Sequence, residues 1–146
     1  MVYYKINTDW NADPNSPELR VSVEGIQIKL EFFLNYFQFE NFHEGDKAIV
    51  RFYNCHKYSL NSMNDEGYYL RQYRYTNDDL PWGEFYKIQT NCESDFPEKQ
   101  FNVLTWVINS ELLNHYIFFF RDNCFECVAE GYDVEFISVA SKVTNL

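Results

Sequence analysis

Leu19-Arg20-Val21-Ser22-Val23-Glu24-Gly25-Ile26-Gln27-Ile28-Lys29-Leu30 and Tyr116-Ile117-Phe118-Phe119-Phe120-Arg121-Asp122-Asn123-Cys124-Phe125-Glu126-Cys127-Val128-Ala129 decide the fold. Each stretch folds back on itself so that one face is entirely apolar, which a hairpin lying over a core requires. In the first, a Glu24-Gly25 loop sets Val23 opposite Ile26, Val21 opposite Ile28 and Leu19 opposite Leu30. In the second, an Asp122-Asn123 loop sets Phe120 opposite Phe125, Phe118 opposite Cys127 and Tyr116 opposite Ala129.

Working outward, alternation of period two recurs and helical periodicity is nearly absent. Residues 2–6 read as a strand, and Pro14 and Pro17 break the segment after it. Ile26, Ile28, Leu30, Phe32 and Leu34 share one face, and Ala48, Val50 and Phe52 share another within a strand at 47–53. Residues 54–67 read as a polar loop, followed by strands at 68–75, 84–90, 102–108 and 132–139, with a bulge at Gly131. Asn109-Ser110-Glu111 offers N-capping chemistry for one helical turn. The expected fold is all-β: a single-domain antiparallel barrel or sandwich of roughly nine strands with at most one short helical turn.

Size and charge narrow the function. A chain of 146 residues suits one domain with a real core. Its net charge of −10, from 22 acidic and 12 basic side chains, opposes general nucleic-acid binding and an anionic membrane surface. It leaves open a cationic protein partner, a neutral ligand or simple solubility. The residues after Met1 lack the apolar run of a signal peptide, so cytoplasmic residence with reduced thiols is expected for Cys55, Cys92, Cys124 and Cys127.

Aromatic side chains make up 20% of the chain, enough both to fill a sheet core and to leave rings over. Tyr69, Arg71, Tyr73 and Tyr75 fall on one face of the 68–75 strand, a Tyr/Arg combination typical of protein-docking hot spots. Phe37 and Phe39 belong to Tyr36-Phe37-Gln38-Phe39-Glu40-Asn41-Phe42, whose rings one strand face cannot all bury. Some must cap a barrel end or form an exposed interaction cluster.

Chemistry-bearing constellations are few. Cys124-Phe125-Glu126-Cys127 has knuckle spacing, but residues i and i+3 of a strand face opposite sides, so the sulfurs diverge. Cys55-His56 with Cys92 lacks a second knuckle of ligand spacing. His115 falls opposite Glu130 in the hairpin register, either a cross-strand ionic pair or an acid/base couple at an aromatic-lined pocket. Phosphate-loop, GxSxG, HExxH and EF-hand patterns do not occur.

The expected function is therefore binding without catalysis, with no metal or cofactor. The type is a small acidic bacterial protein of the immunity or antitoxin kind that neutralises a basic protein partner, and the alternative is a ligand-binding barrel or enzyme with its pocket near His115 and Glu130. A homodimer through an edge strand is a further expectation.

Overall fold

The computed structural model describes residues 2–62, 80–89 and 101–139. Its strands are β1 (Val2–Lys5), β2 (Arg20–Glu24), β3 (Gln27–Phe33), β4 (Lys47–Ser62), β5 (Phe85–Gln89), β6 (Asn102–Val103), β7 (Asn114–Phe119) and β8 (Asn123–Ile137). They form one antiparallel sheet in the order β1-β5-β7-β8-β4-β3-β2, with β6 joined to β4 off that path. The protein is all-β, as expected.

Both hairpins form, each displaced from its expected register by two residues. Val23 pairs with Ile28 and Val21 with Leu30, so the loop is Gly25-Ile26. Phe118 pairs with Phe125 and Tyr116 with Cys127, so the second loop is Arg121-Asp122. A slip of two preserves every residue's face, because side chains alternate with period two. Turn chemistry and tertiary contact account for the first displacement. Gly25 adopts φ +63° at the first loop position, where a type II′ turn demands glycine. The Ile26 carbonyl then accepts a hydrogen bond from the Cys55 amide at 2.7 Å, tying the turn to β4. In the second hairpin the Phe120 amide donates to the Asn123 carbonyl at 2.8 Å and closes the loop.

The sheet curls on itself. Phe32 on β3 and Phe85 on β5 are four strands apart along the sheet, about 19 Å if it were flat. Their ring centroids are 5.6 Å apart. Phe85 stacks on Phe118 at 4.3 Å, Phe32 meets Phe120 at 5.0 Å, and Trp10 touches both Phe32 and Phe85. Around these rings Ile28, Leu30, Ala48, Val50, Phe52, Phe125, Cys127 and Ala129 complete the main core. A smaller cluster of Tyr86, Ile88, Ile117, Phe119, Cys124 and Val128, with Leu80 and Phe101, lies on the opposite face. Curvature is thus barrel-like, but among the described residues no ladder joins edge strands β1 and β2, so the sheet remains open.

Several boundaries differ from expectation, among them the 132–139 strand, which is the continuation of β8 and ends at Ile137. β4 continues through 54–62 as strand, although those residues are polar, because β8 offers a partner along nearly its whole length. The bulge falls on β4, between Cys55 and Lys57, and not at Gly131. Asn54 beside it adopts φ +49°. β6 stops at Val103: the His56 carbonyl accepts from the amides of both Leu104 (2.8 Å) and Thr105 (3.3 Å), bending the chain off the ladder. The capping chemistry at Asn109 makes a turn, its Oδ1 accepting from the Glu111 amide at 3.2 Å. The expected 68–75 strand lies outside the described residues.

Candidate functional site

The segment after β3 presents the clearest candidate. Leu34 ends the buried alternation, bridged to Ala12 of the 11–17 loop. The next residue, Asn35, is buried and reverses the chain: its Oδ1 accepts from the amides of Phe37 and Gln38, each at 3.2 Å. This local competition with the ladder lifts residues 36–38 off the strand end. Phe42 returns to the protein, packing on Phe136 at 5.2 Å and against the main core. Phe39 is half-buried, and its carbonyl accepts from the Phe42 amide.

Phe37 does not return. It is 63% exposed, yet its ring stacks on Tyr36 with centroids 4.2 Å apart. Beside the pair lies a groove of about 410 Å³ whose wall includes Asp13, Phe33, Glu44 and Gly45. Desolvation first, then the carboxylates of Glu44 and Asp13, raises the Tyr36 hydroxyl above its ordinary pKa. The phenol thus sits in the negative field of these two carboxylates. Buried Asp46 anchors the far end: one oxygen accepts from the His43 amide at 2.8 Å, the other from the Val139 amide at 2.9 Å.

Of the other residues singled out in the sequence, Tyr69, Arg71, Tyr73 and Tyr75 lie outside the described residues. His115 and Glu130 are not brought together. With the register moved by two, His115 stands opposite Val128, and its Nε2 lies 3.1 Å from Glu126 Oε2. That pair is wholly buried on the smaller-cluster face, and burial pushes the Glu126 carboxyl well above its usual range. Glu130 instead accepts from Asn54 Nδ2 at 2.6 Å, and its carbonyl accepts from Asn114 Nδ2 at 3.1 Å. A groove of about 430 Å³ bounded by Tyr4, Lys87, Gln89 and Asn114 lies over His115, whose side chain is itself enclosed.

The thiols diverge as the strand geometry requires. Cys127 sits in the main core and Cys124 in the opposite cluster. Cys55, Cys124 and Cys127 are buried, and burial, then its neighbour Cys55, pushes the Cys127 thiol up. Among the described residues no group of His, Cys, Asp and Glu has the geometry to hold a metal ion, and no helix there is long and apolar enough to cross a membrane.

Sequence reasoning missed two surfaces. Where β6 ends, Trp106 is 66% and Val107 91% exposed, the indole meeting His56 edge-on at 5.7 Å. Their alternating apolar pattern resembles a strand, and only the forked bond at His56 shows otherwise. The second is a cleft beside Asn11 and Trp82, assembled from four distant chain segments with no local signature. Comparison with protein-family models, with curated proteins and with solved structures finds no match to this chain.

Proposed function

We propose that this protein is a non-catalytic binding module that docks a cationic segment of a partner protein on its Tyr36–Phe37 face. The supporting observation is the exposed Phe37 ring, held in place by Tyr36 beside a groove walled by Asp13 and Glu44. An arginine or lysine of a partner would gain ring contact and carboxylate pairing together. The chain's charge of −10 would steer such a partner in and disfavour nucleic acid. The class this describes is a small bacterial immunity or antitoxin-like protein that neutralises a basic partner by stoichiometric binding. Buried free thiols at Cys55 and Cys127 suit action in the cytoplasm. Tyr69, Arg71, Tyr73 and Tyr75 are the further docking candidates.

The test is parallel affinity capture with wild type, Phe37→Ala and Glu44→Gln as baits. A basic protein should be retained by wild type and lost from both variants, with melting temperatures unchanged. Equal retention by all three baits, or a large drop in the melting temperature of Phe37→Ala, would assign Phe37 a structural role and overturn the docking reading.

A second reading, a small ligand at the His115 groove, rests on that groove's volume, which lies in the ~300–1,000 Å³ range of ligand sites. Pairing of two copies through edge strand β1, where Tyr3 and Tyr4 are exposed, is a third, checked by the mass eluting from a sizing column.

A further inference from the structure

We propose that the cleft between the 11–14 loop, the 35–38 turn, the Trp82–Glu84 turn and Arg121 is a binding site for a neutral polyhydroxylated ring, a sugar. The cleft has a volume of about 460 Å³, ample for such a ligand. What selects the ligand is the pattern of polar atoms around it.

Asn11 is nine-tenths buried, and its Oδ1, out of contact with solvent, accepts no hydrogen bond from any described residue. A buried carbonyl oxygen of this kind calls for a donor such as an enclosed water, because nothing in open solvent touches it. Asp13 Oδ1 is occupied by the amides of Asn15 and Ser16, and Glu84 Oε2 by Asn7 Nδ2 and Lys5. The second oxygen of each carboxylate has no bond to a described residue. Donors are equally spare. Gln38 uses its Oε1 on Asn35 and leaves its amide nitrogen over. Arg121 spends Nη1 on the Asn15 carbonyl and Nε on Asp122, leaving Nη2.

The second carboxylate oxygens of Asp13 and Glu84 and the spare donors of Gln38 and Arg121 thus belong to side chains lining the same cleft. A cation would meet Arg121, and an anion would meet Asp13 and Glu84. Hydroxyl groups, which both donate and accept, suit the mixture without a charge penalty. Half-buried Trp82, its ring centroid 4.8 Å from that of Phe119, adds an aromatic side chain to the cleft wall.

The test titrates the full chain with glucose, galactose, mannose, N-acetylglucosamine, maltose and cellobiose, with spermidine and citrate alongside, and reads binding by calorimetry. At least one neutral sugar should bind saturably, with spermidine and citrate weaker. Gln38→Ala and Arg121→Ala, both at exposed positions, should each weaken that sugar about tenfold or more without lowering the melting temperature. Saturation by no sugar, preference for spermidine or citrate, or sugar binding that survives both substitutions overturns the assignment. Phe37→Ala should leave sugar binding intact, so this site and the docking face fail or stand separately.

Discussion

Phe32 and Phe85 provide a quantitative test of the curl that builds the main core. Both rings are buried, and they meet at 5.6 Å although their strands are four positions apart in the sheet. Replacing either by Leu keeps an apolar side chain but removes ring volume, at a cost of about 1–2 kcal/mol each. The part specific to the contact is the ring–ring interaction, about 0.5–1.5 kcal/mol for an edge-to-face pair beyond its area burial. Phe32→Leu/Phe85→Leu should therefore cost less than the two single changes together by about that amount, because the second substitution loses a partner already gone. Urea unfolding of the four proteins, followed by circular dichroism and compared at equal slope, measures it. In a flat sheet the two sites would be independent, with additivity to within about 0.3–0.5 kcal/mol. Additivity of that quality would refute the curled core.

Other consequences follow from single groups. Glu126, whose folded carboxyl is raised by burial, binds a proton more tightly folded than unfolded. Its protonation thus supports the fold fully below the ordinary carboxyl pKa, and that support is lost as pH rises towards the folded value. Stability measured by denaturant across pH 4–8 should carry this falling contribution in wild type, and Glu126→Gln should remove it; an unchanged slope would place the linkage elsewhere. Gly45 has φ +93°, and a Cβ there would meet Val139 Cγ2 at 2.7 Å. Gly45→Ala should cost about 1–3 kcal/mol, partly recovered in Gly45→Ala/Val139→Ala, whereas Gly25→Ala, which meets open space, should pay for backbone strain alone. Cys55, Cys124 and Cys127 should resist a thiol reagent in the native protein and react on unfolding; rapid native labelling would contradict their burial.

The strand faces were legible because alternation is a local property. Ile28, Leu30, Phe32 and Leu34, and likewise Ala48, Val50 and Phe52, are buried as their spacing requires. Register was less legible. Glu24-Gly25 suits a loop by composition, and what selects Gly25-Ile26 is the Gly25 turn together with a bond from Ile26 to Cys55, far along the chain. The same slip carried His115 from Glu130 to Glu126, both of which lie on the face alternation assigned them. The inward turn of Lys57 and Ser59 on β4 was hidden by their polarity, since only pairing with β8 makes 54–62 a strand. Of the candidate site, the surplus of rings in 36–42 could be counted from the sequence. Which ring stays outside was set by the Asn35 turn, and it is Phe37, with Phe42 capping the core.

The rolling of one open sheet around its own phenylalanines is tested most directly by proton–proton Overhauser contacts in a sample whose only protonated side chains are Phe rings. The fold predicts cross-peaks from Phe32 to both Phe85 and Phe120, linking β3 to residues beyond β8 in the sheet. A spectrum in which Phe32 meets neither ring would contradict it.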